Sequence, residues 1–327
     1  MTLAQSALVR GCWSSDSLVD GMKRTISSIA WVLAAIGLLF AASAGGAAAE
    51  DWPQWKFDSG HSGNVPQRRV ATPLGLLGAV PLSDAVLTAP AVAGGRVVAV
   101  DASGTAFSFD AATLRPLWKH VPEGGPANCN NVSSPAIAGG YVHYGTTAGY
   151  YYVLDAATGR LVRKIDCGEP IFSAPVVHAG RVYFATLGSR VYALTPAGKT
   201  CWTWNFVRRV LDFRGDRWSG GDWLRHKQGR VTWRDQFCCP IDIAAYGRYV
   251  NEKTNDRHVW CRDARDGSLV WQSEPVLSSV NVVSLGRRFL FSNASGRDGH
   301  VLDRQTGKIV SRFNFGYACT RFTLSEP

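Results

Sequence analysis

The chain has 327 residues, 46% hydrophobic and 18% charged, with a formal net charge of +10. That balance excludes a disordered chain, and 34 glycines against two methionines favour short strands and tight turns over long helices. The basic surplus suits acidic surfaces or polyanionic glycans, or a soluble basic surface without a partner; in an exported protein it does not point to nucleic acid.

The first predicted element is a leader for export. Met22-Lys23-Arg24 is a basic head, Ile29 to Ala42 is an apolar run of 14 residues, and the small residues at 44–49 end in Ala47-Ala48-Ala49. This pattern reads as a secretory signal peptide over 22–49, cleaved after about Ala49, for a periplasmic or secreted protein. The apolar run is shorter than the roughly 20 residues a membrane-spanning helix needs, although an uncleaved anchor is the competing reading. Residues 1–21 precede a complete signal and read as a mis-assigned start. No stable membrane anchor is expected after cleavage. Cys129, Cys167, Cys201, Cys238, Cys239, Cys261 and Cys319 then remain. An oxidising compartment permits disulfides, and the odd number leaves at least one thiol unpaired within the chain.

Residues 50–82 form a leader or closing segment, and a repeat begins after it. "TAPAVAGGRVVAV" (88–100), "SSPAIAGGYVHYG" (133–145) and "SAPVVHAGRVYFA" (173–185) align without gaps, with Pro90, Pro135 and Pro175 spaced by 45 and 40 residues. Pro240 continues the series after an insertion, and "SSVNVVSLGRRFLF" (278–291) is a fifth copy without its proline. About 20 residues after each start comes a turn, as in "VLDAATGRLV" (153–162). Asp and Thr side chains can bond nearby backbone N–H groups there, and Gly takes the left-handed position. Each unit therefore reads as four short strands in about 40 residues, the pattern of a propeller blade. Four residues after the turn glycine position stand Trp118, Trp202 and Trp271. A large flat side chain there can cover the next blade, as structural blade docking; Arg163 and Ser311 hold that place in units two and five.

These units resemble the quinoprotein-type, or PQQ-like, β-propeller repeat family, whose signature ends Ala-x-Asp-x-x-Thr-Gly-x-x-x-Trp. The residues that carry the resemblance are Asp110 and Trp118; Asp155, Thr158 and Gly159; Ala193, Gly198 and Trp202; Asp263, Gly267 and Trp271; and Asp303, Thr306 and Gly307. The resemblance covers about residues 76–320, and "DWPQWKFDSGHSGN" (51–64) is similar to the leader of such propellers in exported bacterial proteins. It implies an all-β propeller of four-stranded blades over 83–327, with about five to six blades present and possibly an incomplete ring. Because the family usually builds seven or eight blades, the chain reads as the N-terminal part of a longer protein.

The resemblance does not by itself bring a cofactor. Quinoprotein dehydrogenases of this family use PQQ and calcium, a catalytic Asp, a Trp under the quinone and a vicinal disulfide. The acidic residues here fall mostly in turns, no metal-ligand set or catalytic residue stands out, and no cofactor is expected; PQQ with calcium is the alternative. Cys238 and Cys239, aligned with Ser133-Ser134 and Ser173-Ala174, are a possible vicinal disulfide, with separate disulfides or buried thiols as competing readings. The insertion at 207–236 interleaves arginines with tryptophans, and Arg217, Trp218, Trp223, Arg225 and Trp233 form a candidate ligand or partner surface. Trp faces stack on sugars or cations, and Arg pairs with carboxylate or sulfate; the plainer reading is a loop whose tryptophans pack on its own blade. Three functions follow: an exported non-catalytic scaffold for binding or assembly with a protein or acidic-glycan partner, a PQQ-dependent oxidoreductase, or a glycan-binding module of a larger carbohydrate-active protein.

Overall fold

The structure is a computed structural model that describes residues 51–69, 72–123, 133–188, 190–209, 243–246, 249–253, 258–276, 283–292 and 298–314. The signal-peptide and start-site readings at 1–49 fall outside these residues.

Five four-stranded antiparallel sheets follow one another along the chain. Blade 1 comprises β1 (Ala91–Ala93), β2 (Arg96–Val100), β3 (Ala106–Asp110) and β4 (Pro116–His120). Blade 2 comprises β5 (Ala136–Ala138), β6 (Tyr141–Gly145), β7 (Tyr150–Asp155) and β8 (Leu161–Asp166). Blade 3 comprises β9 (Val176–His178), β10 (Arg181–Ala185), β11 (Arg190–Leu194) and β12 (Thr200–Asn205), followed by one helical turn, α1 (Phe206–Arg209). Blade 4 comprises β13 (Ile243–Tyr246), β14 (Tyr249–Lys253), β15 (Val259–Asp263) and β16 (Leu269–Gln272), and blade 5 comprises β17 (Val283–Leu285), β18 (Phe289–Ser292), β19 (Asp298–Asp303) and β20 (Ile309–Asn314). The innermost strands β1, β5, β9, β13 and β17 pack one beside the next, and no comparable packing of described residues joins β17 back to β1, so the ring is open there. Among the described residues no helix is long and apolar enough to cross a membrane.

The turn chemistry is local and repeated. Asp155 Oδ1 accepts the backbone N–H of Ala157 (3.1 Å) and Thr158 (2.9 Å) and the Thr158 hydroxyl (2.8 Å), while Gly159 donates its N–H to Asp155 O at 2.8 Å. Asp110 with Thr113, and Asp303 with Thr306, repeat the pattern. These bonds hold the three carboxyls below the ordinary Asp range. In blade 4 Asp266 stands in the threonine place, and Arg265 before it pairs with Asp263 at 3.0 Å. Blade 3 departs from the pattern: Thr195 stands in the Asp place, its turn is one residue shorter, and Gly198 donates to Thr195 O at 2.8 Å.

A β-bulge recurs in every blade between the third and fourth strands, just before the position held by Trp118, Arg163, Trp202, Trp271 and Ser311. A bulge re-aims the side chain beside it. Here it sets that side chain opposite a small or β-branched residue (Ser108, Val153, Ala193, Cys261 or Val301) in the same register each time.

The core lies between blades rather than within them. Val98, Val100 and Ala106 of blade 1 pack on Val142, Tyr144, Tyr152 and Leu154 of blade 2. Tyr151 and Val153 of blade 2 pack on Phe184, Tyr192 and Leu194 of blade 3.

Candidate functional site

The propeller presents two ends. The turns between first and second strands, and the Asp-Thr-Gly turns, lie at one end. At the other lie the turns between second and third strands and the connections between blades, because Asn205 at the end of β12 pairs with Arg190 at the start of β11.

The leader covers the inner strands at the first end. Trp52 and Val92 of β1 exchange backbone bonds of 2.6 and 2.9 Å, and Ile137 of β5 donates to Pro53 O at 2.8 Å. The Gln54 amide bonds both backbone groups of Val177 in β9, at 2.7 and 3.2 Å. Ser59 meets His178 Nδ1 at 3.0 Å, and Leu285 of β17 donates to Gly60 O at 2.8 Å. An innermost strand leaves a row of N–H and C=O groups facing the channel; residues 52–60 satisfy such groups in four of the five blades. Lys56, Phe57 and His61 hold positive φ in this short segment, a conformation that non-glycine residues keep only where surroundings impose it. The leader also borders an open cleft of about 680 Å³ lined by Phe57, Asp58, Pro66 and Arg68 among others. The sequence shows a leader but not this threading, since no periodicity marks a segment that bonds one strand at a time.

At the opposite end the insertion leaves blade 3 through α1. Asn205 Oδ1 accepts the Arg208 N–H at 3.1 Å, and Phe206 is buried. Trp204 and Phe206 pack around Trp260 of blade 4, with ring centroids 5.6 and 6.4 Å away. The Arg262 guanidinium lies 3.5 Å from the Trp204 ring centroid and donates to Gly267 O at 3.2 Å. The root of the insertion is thus fixed by an aromatic and arginine cluster spanning two blades. Arg217, Trp218, Trp223, Arg225 and Trp233, the candidate partner surface, lie outside the described residues, as do Cys238 and Cys239. Cys167 and Cys261 are buried and Cys201 is exposed; burial pushes the Cys167 thiol up to about 12, which keeps it unreactive.

The three tryptophans each reach the following blade. Trp118 Nε1 donates to Ala156 O at 2.9 Å, Trp202 Nε1 to Ala264 O at 3.0 Å, and Trp271 Nε1 to Arg304 O at 3.0 Å. Their rings lie on the turn glycines: a methyl group on Gly159, Gly267 or Gly307 would stand 2.6, 2.8 or 2.5 Å from the Trp ring. In the second unit Arg163 covers Gly198 beside Val153.

The hydroxyls at the start of the innermost strands are held by backbone. Ser173 Oγ bonds Ala185 N and O at 2.7 and 2.9 Å, Ser133 Oγ donates to Ser173 O at 3.1 Å, and Thr88 Oγ1 to Val100 O at 3.0 Å. Among the described residues no three His, Cys, Asp or Glu side chains converge. A hard cation such as calcium needs several converging oxygens, and among the described residues no cluster of carboxylates supplies them.

Residues 79–162 and 135–214 match the family described as "Outer membrane protein assembly factor BamB". No curated protein sequence matches significantly. Among solved structures, the quinohemoprotein alcohol dehydrogenase from Comamonas testosteroni superposes with a TM-score of 0.61 at 18% identity, over 84% of this chain and 52% of that one. A quinohemoprotein alcohol dehydrogenase from Pseudomonas putida HK5 gives 0.59 at 18%, over 81% and 48%. BamB from Moraxella catarrhalis gives 0.53 at 19%, over 75% and 69%. The chain thus spans about half the length of the dehydrogenases. With five four-stranded blades joined through the repeated turn, the chain shares the β-propeller fold of these structures and is similar to the assembly-factor family's repeats over the matched residues.

Proposed function

We propose that this protein is an exported, non-catalytic scaffold that offers one end of its propeller to a protein or acidic-glycan partner. The observation that carries the reading is the insertion's root: a basic, tryptophan-rich segment leaves from a cluster of Trp204, Phe206, Trp260 and Arg262 locked across two blades. A rigid base orders a binding loop at lower entropic cost. The arginines supply charge-assisted bonds to carboxylate or sulfate, and the indoles supply stacking faces. The match to an assembly-factor family supports the same class of role. The signal pattern at 22–49 supports a reading as a periplasmic or secreted protein.

The test uses a sulfated glycan, heparin, as the acidic probe. The wild type should bind it with a salt-dependent affinity, and Arg217→Glu with Arg225→Glu should weaken binding by at least about tenfold, as expected for two lost charge-assisted contacts. Unchanged binding in the double variant would remove the insertion from the reading. The likeness to quinohemoprotein alcohol dehydrogenases and the Cys238-Cys239 pair favour a second reading, a PQQ-dependent oxidoreductase. A saturable rise in melting temperature with PQQ and calcium, together with dye reduction in the presence of an alcohol, would put that reading first.

A further inference from the structure

The end of the propeller that carries the Asp-Thr-Gly turns also carries a repeated cation. The residue after the turn-glycine position is Arg115 in blade 1, Arg160 in blade 2, Lys199 in blade 3 and Lys308 in blade 5, and each is exposed. Blade 4 has Ser268 there, and its exposed base, Arg265, stands earlier in the same turn.

The mount is the same each time. Arg160 donates its N–H to Thr158 Oγ1 at 3.3 Å, and its carbonyl accepts the Asp155 N–H at 2.8 Å. Arg115 makes the same two bonds with Thr113 and Asp110, and Lys308 with Thr306 and Asp303. Lys199 makes both with Thr195. The turn thus fixes both backbone groups of the basic residue, and the exposed side chain leaves each blade from an equivalent point.

Cations outnumber carboxylates here. Over the described hairpin turns of this end and the strand residues that border them, ten residues are Arg or Lys and five are Asp. The carboxyls of Asp110, Asp155, Asp263 and Asp303 are turned onto N–H groups of their own turns. Just past the turns, the outer strands begin with uncovered apolar residues. Leu161 is 40% exposed, Leu269 52%, Val270 40% and Val310 53%. Single exposed leucines are ordinary, but these recur at the same end of three outer strands, beside the cations.

The cations stand on separate blades and do not converge on one small anion. They suit a surface that presents many anions over an area. The leucines and valines gain only where an apolar phase lies under those anions, which a phospholipid bilayer offers and a sulfated glycan does not. We propose that this end of the propeller docks reversibly on an anionic phospholipid bilayer, its turn cations meeting the headgroup phosphates and its rim leucines and valines entering the interface. The proposal rests on the turns and stands independently of the insertion at the opposite end.

Vesicle flotation with the full chain tests it. Vesicles of phosphatidylglycerol and phosphatidylcholine in equal parts should bind the chain at least about a hundredfold more tightly than phosphatidylcholine alone, since each Lys or Arg near an anionic surface contributes about fivefold. The apolar run at 29–42 is common to every variant, so the differences between variants carry the result. Arg115→Ala with Arg160→Ala should weaken binding to the anionic vesicles at least about tenfold, and Arg115→Lys with Arg160→Lys should bind as the wild type does. Lys119→Ala with Lys164→Ala removes the same charge from the same two outer strands, four residues farther along. That is roughly 10–13 Å away, beyond the screening length of about 8 Å, so the loss should stay under about threefold. Leu161→Ser with Leu269→Ser should weaken binding about fivefold or more. Equal losses from the two alanine pairs, or no preference for phosphatidylglycerol, overturn the proposal. Leucine variants that bind as the wild type does overturn the choice of a bilayer. So does heparin binding that depends on Arg115 and Arg160 without vesicle binding, which would make this end a glycan surface.

Discussion

The interface between blades 2 and 3 differs from its neighbours. Between blades 1 and 2, 3 and 4, and 4 and 5, an outer-strand tryptophan lies on the next blade's turn glycine and donates its indole N–H to a turn carbonyl. Between blades 2 and 3 Arg163 stands there instead, and the contact moves inward. Tyr151 stacks on Phe184 at 3.8 Å, Phe184 on Tyr192 at 4.7 Å, and His143 is fully buried beside Tyr151. Blade docking here thus has two sites, an outer one built from Trp and Gly and an inner one built from stacked rings. A blade pair weak in the first is strong in the second.

The largest expected effect is at an outer dock. Trp271 is 9% exposed, and Trp271→Ala should cost about 3–5 kcal/mol in a urea melt, the usual loss for a buried Trp. A loss under about 1 kcal/mol would mean that the ring does not carry the interface.

Gly159→Ala comes next. Its φ is +72° and the new methyl meets Trp118. Left-handed strain and overpacking together predict a loss of about 2–4 kcal/mol by the same melt. Gly198→Ala should cost less, because the atoms it meets include the flexible Arg163 side chain.

The inner dock makes a pH prediction. Burial holds the His143 pKa down to about 3, against about 6.5 unfolded. The unfolded chain therefore binds the proton first. The stabilisation from neutral His143 is complete above pH 6.5 and is lost as pH falls toward 3, by up to about 1.4 kcal/mol per pH unit. His120, also lowered by burial, adds in the same direction. His143→Gln should flatten the slope between pH 4 and 6.5; an unchanged slope would place the dependence elsewhere.

The smallest effect is Arg163→Ala. Its charged head reaches solvent while its stem covers Gly198, so the cost should be about 1 kcal/mol or below. A loss as large as that of Trp271→Ala would erase the distinction between the two kinds of interface.

The blades were legible in the sequence because their turns are built by side chains that bond their own backbone. Asp155, Thr158 and Gly159 need no distant partner, so they stand in fixed spacing and repeat. The blade 3 turn was less legible, since Thr195 replaces Asp and one residue is missing. The leader's role was not legible: Gln54 bonds Val177, 123 residues away, and nothing local requires a glutamine there. The insertion has no internal period, so the sequence offered its chemistry, and the structure adds the aromatic root that fixes where it leaves the propeller.

The claim that turn glycine and tryptophan act as one device across two blades is tested most directly by a double-mutant cycle on Trp271 and Gly307. In the wild-type background Gly307→Ala should cost about 2–4 kcal/mol, from left-handed strain plus the clash with the indole. In the Trp271→Ala background only the strain remains, about 1–2 kcal/mol, so the two losses should be clearly less than additive. Equal costs of Gly307→Ala in both backgrounds would contradict the account.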